Sequence, residues 1–161
     1  MAFSKPTILF IPGFWHTAEG YGPLAKLLEK EGYPTVLVSM PSAGAHPGHP
    51  DSSQDIGAIR NYVSSLADEG KNVILVMHSG GSLSGSEAVL NLDKKHREAE
   101  GKKGGVVRMV YIGILLPKAG KTMYETFMAV VSSPDLDPNF EIDQDQKFHV
   151  MAEVIPLSLW L

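Results

Sequence analysis

"NVILVMHSGGSLSG", residues 72–85, is the stretch from which the rest of the chain is read. A run of apolar residues stops at His78-Ser79-Gly80-Gly81. A buried strand that ends on a serine and turns at once into a helix can hold that serine in a strained conformation with its hydroxyl exposed, provided its neighbours are small. Gly80 and Gly81 meet that condition on the helix side. The pattern G-x-S-x-G also asks for a small residue two places before the serine, and here that place is Met77. The match is partial, and a purely structural strand-to-helix turn is the competing reading.

Working outward, the segments on either side repeat one rhythm. "TILFI" (7–11) is a short continuous apolar run closed by Pro12-Gly13, as expected of a strand buried on both faces. "GPLAKLLEKEG" (22–32) predicts a helix with Pro23 near its start, Leu24, Leu27 and Leu28 on one face, and Gly32 at its stop. "TVLVS" (35–39) is a second strand, and a Pro/Gly loop "SAGAHPGHP" (42–50) leads to a helix from Ser53 to Ala67, capped by Asp51 or Ser52. The third strand spans 72–77, and its helix begins at or just after Gly80 and fades in "DKKHREAEGKK" (93–103), which reads as a solvated helix end and loop. "VVRMVYIG" (106–113) is a fourth strand ending before Pro117. Strands alternating with long crossovers give an α/β fold: a three-layer sandwich with a mostly parallel sheet in the order 2-1-3-4.

With 161 residues the chain has room for one sizeable core, here assigned to 1–120, and residues 121–161 depart from the rhythm. "TMYETFMAVV" (122–131) predicts a helix, an acidic Pro-punctuated stretch follows, and the chain closes on the apolar "VIPLSLWL". A formal net charge of -4, with charged residues at 20%, offers nothing to nucleic acid or a membrane surface. The absence of cysteine removes disulfides and thiolate chemistry. No apolar run is long enough to span a bilayer and the amino terminus lacks a leader pattern, so the expected location is cytoplasmic.

In an open parallel sheet, ligands bind beyond the carboxyl ends of the strands, where the strand order reverses. For the order 2-1-3-4 that point lies between the first and third strands, whose exits are "IPGFWHT" (11–17) and "MHSGGS" (77–82). Chemistry at a carbonyl needs backbone N–H groups aimed at the developing oxyanion, one from the residue after the nucleophile and one from the loop after the first strand. Gly80 and Phe14 occupy those places, with Ser79 as the nucleophile between them.

These segments, with "RMVYIGILLP" (108–117), resemble the amino-terminal half of an α/β-hydrolase. The resemblance covers residues 5–120 and is closest to the compact esterase-like branch that reads [HP]-G-x-W-H after the first core strand and H-S-x-G-G at the elbow. That branch includes carboxylesterases, lactonases and hydroxynitrile-lyase-like enzymes and is frequent in fungal natural-product pathways. The resemblance implies a serine hydrolase for a small ester, lactone or related carbonyl, with Ser79 as nucleophile, Phe14 and Gly80 as oxyanion donors, no cofactor or metal, and a lid starting after Pro117.

The family's chain order is serine, acid, histidine, with the last two after further strands. His78 precedes the serine on an extended segment and should point to the opposite face. His16 lies in the oxyanion loop, near enough for substrate contact or base-like assistance. His46, His49 and His96 read as surface residues. His149 alone follows a run of carboxylates, Asp143 and Asp145 among them, but without a strand to position it. Two readings stand. In one, this is a short form, splice product or early-terminated gene model of a serine hydrolase, weak or inactive as it stands, and "FHVMAEVIPLSLWL" is translation past a missed splice site. In the other, the short chain acts as a non-catalytic binding protein in the same crevice. Either way the fourth strand is expected to leave an apolar edge, favouring a homodimer.

Overall fold

The structure, a computed structural model, describes residues 5–113, 119–122, 125–126 and 128–129, and the backbone of 140–142 and 148–150. It divides into two units, Met1–Phe127 and Met128–Leu161. The first holds a four-stranded parallel sheet of β1 (Thr7–Ile11), β2 (Thr35–Leu37), β3 (Asn72–His78) and β4 (Gly105–Ile112), in the order β2-β1-β3-β4. The expected topology is therefore the observed one, and the order reverses between β1 and β3.

Every residue of β1 is buried, because the strand lies inside the sheet with a layer on each face. On one face Leu9, Ile11, Val73, Leu75 and Met77 meet Ile59 and Val63 of α2 (Ser53–Asp68) and Ala88 of α3 (Gly81–Ala88), forming the larger core cluster. On the other face Ile8 and Phe10 meet Ala25 of α1 (Gly22–Lys30), with Tyr21 and Leu28 packed around them. β3 alternates strictly, its odd residues from Val73 to Met77 buried and its even ones, Ile74 to His78, partly so. That two-residue period puts Met77 into the α2 core and His78 on the α1 face.

The face shared by Leu24, Leu27 and Leu28 is only partly turned to the core, and one expectation, that for the charged run, is corrected. Leu24 and Leu27 are exposed, at 43% and 59%, while the small Ala25 and the partly buried Leu28 form the inner side of α1. Helical spacing groups residues on a face, and the residue of α1 that is fully buried against Ile8 and Phe10 is the small Ala25. The charged run is not a fading helix end. It contains its own helix, α4 (Lys94–Ala99), capped by the Asp93 carboxylate, which accepts from the His96 amide at 2.9 Å. Arg97 of that helix is buried; it donates from Nε to the Gly104 carbonyl and from Nη2 to Asp68, each at 2.7 Å.

The helix start expected at 122 has a reciprocal cap: the Thr122 amide donates to the Glu125 carboxylate at 2.8 Å, and the Glu125 amide donates to Thr122 Oγ1 at 3.1 Å. The rest of that helix falls largely outside the described residues. In the second unit β5 (Phe140–Ile142) pairs antiparallel with β6 (Phe148–Val150).

Candidate active site

Ser79 sits between β3 and α3 with a φ of 45°, in the left-handed region that L-residues seldom occupy. Its own backbone is tied down on both sides. The Ser79 amide donates to the Ile112 carbonyl at 2.9 Å, and its carbonyl accepts from the Ser82 amide at 3.0 Å and from Ser82 Oγ at 2.6 Å. Surroundings that over-determine a strained residue in this way are typical of functional turns.

Small residues make the turn possible. A β-carbon on Gly81 would lie 2.1 Å from the Pro12 carbonyl oxygen, and one on Gly80 would lie 2.4 Å from the Phe14 ring. The loop leaving β1 is thus packed directly onto the start of α3. The large Met77, out of place in G-x-S-x-G, is accommodated from the helix side: a β-carbon on Gly85 would come within 2.7 Å of its sulfur.

The loop after β1 has a strained residue too. Trp15 has a φ of 61° and leaves 49% of its surface exposed beside the elbow. The turn is closed by the His16 amide, which donates to the Gly13 carbonyl at 3.2 Å, and by His16 Nδ1–H, which donates to the Phe14 carbonyl at 2.8 Å. Phe14 stacks edge-on against Trp15, ring centroids 5.7 Å apart. Gly13 lies so near the elbow that a β-carbon there would be 3.1 Å from Ser79 Cβ. Ser79, Phe14 and Gly80 are therefore neighbours, as the sequence led one to expect.

His78 faces away from the larger core, as the strand period requires, and is half-buried on the α1 side. Its Nδ1 is 2.8 Å from the hydroxyl of Tyr21, at the end of a single 3-10 turn (Ala18–Tyr21), and the His16 ring meets it edge-on at 5.3 Å. Burial, and secondarily the neighbouring His16, pull the His78 pKa below its ordinary value and favour the neutral ring. Burial pushes the Tyr21 phenol up, with the Gly13 amide acting in the other direction. Tyr21 is the residue that the sequence did not single out; nothing in "TAEGYG" distinguishes it from an ordinary helix-start aromatic.

Of the other histidines, His46 and His96 are exposed, and His49 Nε2–H donates to the Pro41 carbonyl at 3.2 Å. His149 lies on β6, opposite Glu141, so it does have a strand, contrary to expectation. Asp143 and Asp145 lie outside the described residues. Among the described residues no group of three or more His, Asp or Glu side chains could hold a metal ion, and no helix is long and apolar enough to cross a membrane.

Residues 8–156 match the description "Alpha/beta hydrolase family". Alpha/beta hydrolase nvfD of Aspergillus novofumigatus is 34% identical over 119 residues, covering 74% of this chain and 47% of that protein. Probable hydrolase R7 of a Phoma species is 27% identical over 121 residues, covering 74% and 46%. The chain thus spans about half the length of the curated relatives it matches. Among solved structures, polyneuridine aldehyde esterase superposes with a TM-score of 0.61 at 18% identity, covering 80% of this chain and 48% of that one. Tomato methylketone synthase I, complexed with 2-tridecanone, gives 0.61 at 20%, covering 84% and 50%. At these identities the two structures speak for the fold alone.

Proposed function

The chain belongs to the alpha/beta hydrolase family, and from that premise we propose that Ser79 is the nucleophile of a serine hydrolase site for a small ester, lactone or related carbonyl substrate. One observation carries the reading: Ser79 is held at a φ of 45° between a glycine that admits no side chain and the loop bearing Phe14. Ser79 Oγ attacks the carbonyl carbon, and the charge that develops on its oxygen is received by the amides of Phe14 and Gly80, the second at the positive end of α3. The C–O bond to the alcohol portion then breaks, the alcohol departs with a proton, and water hydrolyses the acyl-Ser79 ester to release the acid and restore the serine.

The proton of Ser79 needs a base. His78 shares a hydrogen bond with the Tyr21 hydroxyl through Nδ1 and lies on the α1 side of β3, whereas His16, whose Nδ1–H donates to the Phe14 carbonyl, is in the ring form whose Nε2 is basic and suits base-like assistance. In the family's chain order, His149 and Asp143 are the histidine and acid that follow Ser79. We take turnover by these 161 residues to be weak, near the residual enhancement of about 10³ over water that binding and an oxyanion hole leave when a triad is incomplete. A role in secondary metabolism, in the cytoplasm, fits the branch resembled and the fungal source of both curated relatives. The β4 edge would pair with a second copy of the chain.

The test is labelling of the purified chain with a fluorophosphonate probe, with and without imidazole as an external base. The expected result is little labelling alone, a several-fold increase with imidazole, and none of either in Ser79→Ala. Equal labelling of wild type and Ser79→Ala would overturn the nucleophile, and stoichiometric labelling without imidazole would overturn the weak turnover.

A further inference from the structure

His78 is the point on which the loop after β1 closes. Three residues of that loop and its following turn converge on the ring. The Gly13 backbone is so close that a β-carbon there would lie 2.8 Å from Nδ1, His16 packs edge-on, and Tyr21 places its hydroxyl 2.8 Å from the same nitrogen. The Tyr21 ring is itself held by Phe10 of β1, with centroids 6.0 Å apart. His78 is bonded in the chain to Ser79, and the loop it gathers carries Phe14.

A phenol donates at ordinary pH, and a neutral imidazole accepts at one nitrogen only. With the Tyr21 hydroxyl as the donor, the contact selects the ring form with an unprotonated Nδ1 and a proton on Nε2. It also joins the far end of the oxyanion loop to the residue before the nucleophile. Nothing covalent links the two amides that must act together, those of Phe14 and Gly80. Misplacement of a catalytic group by about 1 Å can cost about a hundredfold in rate, so this tie has consequences for chemistry.

We propose that Tyr21 is a positioning residue: its hydrogen bond to His78 Nδ1 holds the Phe14 loop in register with the Ser79–Gly80 elbow, and so sets the oxyanion hole. Its effect on rate rests on the reading of Ser79 as nucleophile, whereas its effect on the loop does not. Tyr21 touches no reacting atom.

Two measurements on the full chain test this. The first is 15N NMR of the histidine rings and of the Gly13 and Phe14 amides. Wild type should show His78 with the proton on Nε2. Tyr21→Phe, which keeps the ring on Phe10, should give a mixture of ring forms together with shifted or broadened Gly13 and Phe14 amides. The second is the imidazole-assisted labelling rate of Ser79. It should fall about five- to tenfold in Tyr21→Phe, the size of one lost hydrogen bond, and in His78→Leu, yet stay near wild type in His78→Asn, whose side-chain oxygen can accept where Nδ1 does. A proton on Nδ1 in wild type, unmoved loop amides in Tyr21→Phe, or a Tyr21→Phe rate equal to wild type would each overturn the proposal. If wild type is not labelled even with imidazole, the nucleophile reading fails, and the loop amides alone decide whether Tyr21 holds the loop.

Discussion

Ser79 carries a backbone conformation that a serine would not choose. An L-residue in the left-handed region costs roughly 1–2 kcal/mol, and glycine there costs nothing sterically but roughly 0.5–1 kcal/mol in unfolded-chain entropy. The φ of 45° and the tight contacts of Gly80 and Gly81 give the chain no room to relax that strain. Ser79→Gly should therefore unfold at higher urea, with a net gain of about 0.5 kcal/mol, while losing all imidazole-assisted labelling. A destabilised Ser79→Gly would mean that the serine side chain is held by contacts worth more than the strain. The turn itself was legible, since a serine followed by two glycines after an apolar run has few other uses. The partner of Met77 was not: Gly85 lies eight residues on, and only the folded helix brings its bare α-carbon against the sulfur. Tyr21 and His78 are fifty-seven positions apart and meet only because β1 and β3 are neighbours.

At the scale of elements, the helices with end signals were the readable ones. Pro23 and Gly32 bracket α1, and α2 runs over Ser53–Asp68 with the Asp51 carboxylate accepting from the Ser53 amide at 2.8 Å. α4 was hidden because alternating Lys and Glu look like a solvated run, although Asp93 three residues before His96 is a capping signal. Its one inward residue is the arginine. Arg97 is 3% exposed and ties α4 to the turn before β4 through Gly104, whereas Asp68, its ionic partner, keeps two-thirds of its side chain in water. The hydrogen bond to the buried carbonyl should therefore outweigh the ion pair. Arg97→Met is expected to cost about 2 kcal/mol, since it leaves the Gly104 oxygen unsatisfied. Asp68→Asn, which keeps an acceptor in place and loses only an exposed charge, should cost less than about 1 kcal/mol. Urea unfolding of both variants checks the ranking, and equal losses would show the ion pair to be the stronger element.

For the molecule as a whole, the sheet order leaves β4 paired on one side only among the described strands. Val107, Tyr111 and Ile112 of that strand are exposed at 43%, 37% and 43%, so the open ladder is also apolar. An unpaired N–H and C=O row with apolar side chains is a template for another strand, and a second copy of β4 offers the same row. The expected behaviour is concentration-dependent dimerisation, seen in sedimentation velocity as a shift toward the dimer as the concentration rises. Arg108 is the one charge on the strand and does not suffice to blunt it. Val107→Lys should move the equilibrium toward monomer, because pairing two edges would then bury or oppose the added charges, at a cost of up to about 1 kcal/mol per copy. The same substitution on an exposed side chain should leave unfolding of the monomer within about 0.5 kcal/mol of wild type. A chain that sediments as a monomer at every concentration would mean that the edge is already covered, and Val107→Lys would then change stability rather than assembly.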